Sequence, residues 1–335
     1  MTAPLLRIEN LSVEFGPRAN PIRVVDDVSF EIEAGGSVGV VGESGSGKSM
    51  TSLSILRLVP EPPGRISGGR ILFDGADLLA LPRNQMPDIR GRDVAMIFQE
   101  PMSSLNPVMT IGDQIGEAIL LHQDLNSAQR RKRVLELLRL VGIPDPAGRI
   151  DAYPHQFSGG MRQRVMIAMA VACNPRLLIA DEPTTALDVT IQAQVLALLK
   201  DVRQRLGTAI LLISHDLGII ADSCERVVVM YAGRVVEEGD VRSIFRNPAH
   251  PYTRALLKSI PRLDDERDRL YQIPGSVPLA GSVTQGCAFR ARCPLRVETC
   301  AVDRPPLFAF GPSHKAACWV TAEAAQARSA AEASP

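Results

Sequence analysis

The chain has 335 residues, 45% of them hydrophobic and 22% charged, and a formal net charge of zero; this is ordinary globular composition, long enough for about two domains and a sizeable core. The balanced charge gives no support to a nucleic-acid binder, which carries a basic excess or a basic face. The longest strongly apolar stretch, Val165 to Cys173, is far short of the ~20 residues that span a bilayer, and the start MTAPLLRIEN lacks the pattern of a secretion signal, so the expectation is a cytosolic protein, and any membrane work would go through partner chains.

Residues 5 to 33 alternate apolar and polar side chains and predict antiparallel strands around a turn at Gly16 to Pro21. SVGVV at 37 to 41 reads as a buried strand, followed by a Gly- and Ser-rich loop and by TSLSILRLV, a helix that Pro60 should end. Residues 61 to 95 hold turn signals and strand-like pieces such as RILFDG, and 111 to 141 read as helical, with apolar spacing at Val134, Leu137, Leu138 and Val141. From Met161 onward helix and strand alternate: a helix to Cys173, the strand LLIA at 177 to 180, a helix from Ile191 to Leu206, the strand AILLIS at 209 to 214 and a hairpin turning at Ala232-Gly233. Buried strands alternating with helices predict an α/β fold with a mainly parallel sheet. After about residue 245 the chain turns Pro-rich and irregular, and its Ala-rich end, about 321 to 335, predicts a frayed or disordered tail.

Gly42-Glu-Ser44-Gly45-Ser46-Gly47-Lys48-Ser49 fits G-x-x-x-x-G-K-[ST] between a predicted strand and a predicted helix. Glycines let backbone N–H groups turn toward phosphate oxygens, and the helix start adds partial positive charge. Lys48 should reach the β- and γ-phosphates of a nucleotide, and the Ser49 hydroxyl should meet Mg²⁺. This loop alone does not separate a kinase, a GTPase and a transport ATPase. LLIADEP ends an apolar strand in two carboxylates, where ligands of open α/β sheets sit. Asp181 can hold Mg²⁺, and Glu182 can polarise a water for attack on the γ-phosphate. Ser158, Gly159 and Gly160 precede another predicted helix, with Ser158 as its N-cap, which makes a second anion-binding helix start.

With FSGGM at 157 to 161, the chain resembles the ABC ATPase family, whose signature reads close to LSGGQ. Gln99 in IFQEP resembles the Q-loop glutamine, Ala186-Leu187-Asp188 the D-loop, His215 in LLISHDLG the switch histidine, and Phe15 an adenine-stacking aromatic. The resemblance implies a P-loop core with an antiparallel β subdomain and a helical subdomain, the latter at about 100 to 165. It also implies a head-to-tail pair of ATPase units. Ser158, Gly159, Gly160 and Asp188 would then serve the partner's nucleotide or the shared interface, and Ser49, Gln99 and Asp181 would hold Mg²⁺ at the chain's own site, with Glu182 and His215 beside the γ-phosphate. EPMSSLNPVMTIGDQI after Gln99 would help to dock a membrane subunit.

Cys287, Cys293, Cys300 and Cys318 crowd into one region among the chain's six cysteines, a pattern that in a reducing cytosol reads more often as a metal site than as disulfides, with zinc, iron–sulfur and unligated surface thiols all open. NPAHPYTRALLKSIPRLD at 247 to 264, followed by this set, resembles the C-terminal extension of the oligopeptide/dipeptide importer ATPases. That resemblance implies a [4Fe-4S] cluster on the four cysteines and an ABC domain to about residue 250. A small irregular extension, with the cluster, would run from 251 to about 320. It implies a second ATPase subunit (a heterodimer), two transmembrane permeases and an extracytoplasmic substrate-binding protein. The chain would sit on the cytoplasmic face of the membrane and drive uptake of peptides or a similar solute. The alternatives are a soluble ABC ATPase acting on nucleic acid or ribosomes, whose paired units, coiled-coil insertions and basic linkers are not visible in the sequence, and a non-catalytic regulatory subunit.

Overall fold

The computed structural model describes residues 3–99, 105–185, 187–260 and 271–332, with side chains to 326. In chain order the strands are β1 (Leu6–Phe15), β2 (Ile22–Ile32), β3 (Ser37–Val41), β4 (Gly64–Phe73), β5 (Ala76–Asp77), β6 (Val94–Ile97), β7 (Leu177–Asp181), β8 (Ala209–Ser214), β9 (Arg226–Tyr231), β10 (Arg234–Asp240), β11 (Phe308–Ala309) and β12 (Lys315–Ala316). The chain divides into two compact units. One holds Met1–Leu6, Ile32–Ser37 and Phe73–Ile213, and the other Arg7–Glu31, Val38–Leu72 and Ser214–Pro335.

In the first unit β6, β7 and β8 run parallel, with Ile179 opposite Met96 on one side and Leu211 on the other. Every residue of β7 and β8 is buried, as expected for parallel strands covered on both faces. The 111–141 stretch, read as one helical segment, is two helices, Ile111–Leu120 and Ser127–Leu140. Asn126 breaks it: its side chain accepts from Gln129 N–H, and the Gln129 side chain accepts from Asn126 N–H, a capping box that starts a new helix.

In the second unit β2, β1 and β4 are neighbours. β3 pairs parallel with β9, and β9, β10, β12 and β11 follow as antiparallel pairs. The helix Leu217–Ser223 packs so close to β3 that a Cβ on Gly39 would lie 2.3 Å from Ile220 Cγ2. The phosphate-loop helix covers Lys48–Ile55; it stops before Pro60 because Arg57 takes a left-handed φ of 52°. The Pro-rich end is more regular than its composition predicts. Helices form at Val241–Arg246 and Pro251–Ser259, and β12 pairs with β10 by Ala316 opposite Glu237. Where composition predicts a frayed tail, Trp319–Glu332 is helical; alanine is the strongest helix former and offsets the polar composition. The last three residues lie outside the described ones.

Candidate nucleotide site and C-terminal extension

The phosphate loop leaves β3 and enters its helix through Gly47, which sits at the N-cap with φ 94° and no side-chain cap. A Cβ there would lie 2.8 Å from Val24 O, and one on Gly42 would lie 2.2 Å from Met230 O. Glycine is therefore required at both positions by close backbone approach. A helix start without a side-chain cap is the arrangement that suits an anion. Lys48 is buried, and its Nζ donates to Gly42 O at 2.8 Å, Glu43 O at 3.1 Å and Ser46 Oγ at 3.5 Å. The ammonium thus lies inside the curl of its own loop. Ser44 and Gly45 at the loop tip are exposed, Ser46 is buried and Ser49 is half-buried.

In the first unit, β7 ends in buried Asp181, followed by Glu182. Glu182 takes φ 47°, a left-handed conformation that costs a non-glycine residue about 1–3 kcal/mol. Its N–H donates to Ile213 O at 3.0 Å, which anchors that turn to β8. Its Oε2 accepts from Gln99 Nε2 at 3.1 Å and from Thr185 Oγ1 at 2.9 Å. Gln99, predicted from sequence, and Thr185, which sequence reasoning missed, therefore aim one carboxylate together.

The helix after the serine–glycine–glycine turn runs Gly159–Ala170, and Ser158 caps it by accepting from Met161 N–H at 3.3 Å. Ser158 and Gly159 are exposed, and nothing lies within 4 Å of a Cβ built on Gly159. A Cβ on Gly160 would lie 2.9 Å from Ile191 Cγ2. Gln163, another residue missed from sequence, is buried and donates to Pro183 O at 2.6 Å, tying this helix to the acidic turn. Asp188 is exposed and caps the helix Val189–Leu206 through Ile191 N–H at 3.0 Å, whereas Ala186 lies outside the described residues. In the second unit, His215 is exposed, just ahead of the helix that Asp216 caps. Phe15 is half-buried at the end of β1, and its ring lies beside Gly64.

A family model described as "ABC transporter" matches residues 25–185, and one described as "Oligopeptide/dipeptide transporter, C-terminal region" matches 236–300. The Dipeptide transport ATP-binding protein DppD of Escherichia coli is 49% identical over 314 residues, 94% of this chain and 96% of that protein. The Oligopeptide transport ATP-binding protein AppD of Bacillus subtilis is 50% identical over 319 residues, 95% of this chain and 97% of that protein. The chain belongs to the ABC transporter family of ATP-binding proteins. Among solved structures, an ATP-binding cassette in a dimeric post-hydrolysis state, bound to ADP and Pi, is 27% identical with a TM-score of 0.63, over 71% of this chain and 99% of that one. The chain is an ABC ATPase with the mixed-sheet P-loop fold, and no helix among its described residues is long and apolar enough to cross a membrane.

The C-terminal extension of this ABC ATPase belongs to the same unit as the phosphate loop. Tyr252 Oη accepts from Glu43 N–H at 2.9 Å, and Arg292 grips the Glu43 carboxylate with Nη1 at 2.7 Å and Nη2 at 3.1 Å. Neither contact was legible in the sequence, because the two ends of each are more than two hundred positions apart. Cys287, Cys293, Cys300 and Cys318 line one small cavity with His250, Phe289 and Trp319. Burial, reinforced by Cys300, Cys293 and Cys318, pushes the Cys287 thiol up to about 11, and burial also raises Cys293.

These findings do not support the expected metal-cluster domain. All four cysteines are free, and among the described residues no three of the His, Cys, Asp and Glu side chains gather into a group that could hold a metal ion. Four thiols on one small cavity are a donor set that suits an iron–sulfur cluster or zinc.

Proposed function

We propose that this chain is the hydrolysing motor of an importer for di- or oligopeptides or a similar small solute. The observation that carries the reading is the Glu182 carboxylate, held by Gln99 and Thr185 in a left-handed turn beside buried Asp181. In this reading Lys48 and the N–H groups of Gly45, Ser46 and Gly47 grip the phosphates of ATP, and Phe15 stacks on adenine. The hydroxyl of Ser49, the carboxylate of Asp181 and the amide oxygen of Gln99 suit Mg²⁺, a hard cation that takes oxygen ligands and offsets phosphate charge. Glu182 orients the attacking water and accepts its proton, and His215 contacts the γ-phosphate. Ser158, Gly159 and Gly160 meet the nucleotide of a second ATPase subunit, a paralogue in a heterodimer, with Asp188 at the same interface; the exposure of the capped turn supports that role. Glu182→Gln in the assembled complex should keep ATP binding and lose hydrolysis by about a hundredfold or more. Hydrolysis at the wild-type rate would remove the assignment.

The remaining partners in this reading are two transmembrane permeases and an extracytoplasmic substrate-binding protein, with the chain held at the cytoplasmic face of the membrane. The names of DppD and AppD support peptide cargo. Residues 100–104 of the expected docking stretch lie outside the described ones. Beyond them Val108, Leu120 and Leu121 are 79%, 58% and 71% exposed, apolar surface that suits contact with a permease. Purification of the intact complex tests the assembly: membrane proteins should co-elute, and nucleic acid or ribosomes in their place would favour a soluble ABC ATPase. For the four cysteines, donor chemistry alone supports thiolate ligation on assembly. Iron and acid-labile sulfide assayed on anaerobically purified protein test for a [4Fe-4S] cluster, and stoichiometric zinc without iron would replace it.

A further inference from the structure

We infer that Arg292 of the C-terminal extension is a positioning residue for the ATP site, which neutralises and fixes Glu43 inside the phosphate loop. The inference rests on the reading of Gly42 to Ser49 as the ATP-binding loop. A carboxylate within an anion-binding loop works against its ligand, because like charges at close range repel. Glu43 stands at such a position: its own carbonyl accepts from Lys48 Nζ at 3.1 Å. Its side chain meets both ends of the Arg292 guanidinium in a two-point pair of 2.7 and 3.1 Å, the geometry in which charge-assisted bonds are strongest and most directional.

Arg292 is itself held rigidly. Its side chain is only 4% exposed. Nε donates to Pro274 O at 2.9 Å, Nη2 also to Ile273 O at 3.2 Å and Nη1 also to Tyr231 Oη at 3.3 Å, so every N–H of the guanidinium has an acceptor. The rings of Tyr231 and Phe289 lie 5.8 and 5.9 Å from its central carbon. Tyr231, Tyr252 and Phe289 pack on one another with centroids 4.6 to 5.4 Å apart. Glu43 is therefore fixed at its N–H by Tyr252, at its carboxylate by Arg292 and at its carbonyl by Lys48. A lysine at position 292 would bring a charge but no planar fork.

The test is nucleotide affinity of the full-length chain, read with a fluorescent ATP analogue, together with KM and kcat in the assembled transporter. Arg292→Ala should raise Kd and KM about tenfold with kcat within about twofold, since uniform binding is lost while the hydrolytic groups are untouched. Adding Glu43→Gln to Arg292→Ala should restore affinity to within about threefold of wild type, a charge rescue that a merely structural staple would not give. Arg292→Lys gives the same pattern at smaller amplitude and serves if Arg292→Ala does not fold. Unchanged affinity in a folded Arg292 variant overturns the inference, and so does a loss that Glu43→Gln fails to relieve. Failure of the underlying reading looks different: the wild-type chain would bind no ATP analogue, or Lys48→Ala would bind it equally well.

Discussion

His250 is buried and neutral in a carboxylate-rich corner. Its Nδ1 accepts from Tyr252 N–H at 3.1 Å, capping the helix Pro251–Ser259, while Glu237 accepts from the N–H groups of Ala249 and His250 and contacts His314 Nε2 at 2.7 Å. Burial, aided by Arg254 and opposed by Glu237, lowers the His250 pKa from 6.5 to about 4. Between those values the unfolded chain binds the proton and the folded chain does not, so stability is full above pH 6.5 and falls as pH drops toward 4. The loss at this residue approaches about 3 kcal/mol. His250→Asn, which keeps a capping acceptor, should flatten that part of the profile in denaturant titrations at pH 4.5 and 7. Equal pH slopes for the two proteins would remove His250 as the cause. Glu182 teaches a related lesson at this scale. DEP in the sequence marks the carboxylate, but its left-handed backbone and its N–H bond to Ile213 O are seen only when β7 and β8 are side by side.

Local chemistry explains where elements begin. Ser158, Asp188 and Asn126 each accept from an N–H three residues on, the N-cap arrangement that apolar spacing alone does not reveal. Asn126→Ala should cost about 1 kcal/mol and lower the thermal midpoint by about 2–4 °C, with ATP binding unchanged; an unaltered midpoint would show that tertiary packing, not the cap, holds that helix. The strands β3, β7 and β8 were legible because each is a short apolar run between turn signals. The two helices within 111–141 were read as one segment because the apolar spacing continues past the break and only the N-x-x-Q cap marks it. β11 and β12, two residues each, carry no periodic signal at all, and exist because β10 offers them an edge.

For the whole molecule, an exposed capped turn at Ser158 and Gly159 and an exposed Asp188 leave a surface suited to a second ATPase subunit. If ATP bridges two such subunits as proposed, Glu182→Gln should lengthen the lifetime of the paired state, because the nucleotide is not consumed. Light scattering of the chain co-expressed with a second ATPase subunit should show a dimer with ATP and separate chains after its removal. Association indifferent to nucleotide would count against the shared site. The extension belongs to the same argument: it folds with the phosphate loop rather than as a separate irregular module, so deletions after about residue 250 should weaken ATP binding as well as remove the cysteines.

Nearly all the chemistry of this ABC ATPase was set by short contiguous runs: a glycine-rich loop before a helix, two acids closing an apolar strand, and a serine–glycine–glycine turn. Such motifs are readable because their residues act within one turn or one strand end. Tertiary structure decided the partners of those residues. Gln99 meets Glu182 across 83 positions, and Arg292 meets Glu43 across 249, contacts that no local pattern encodes. The cysteines follow the same rule: spacing along the chain fixes which donors are available, but only the fold brings all four to one cavity.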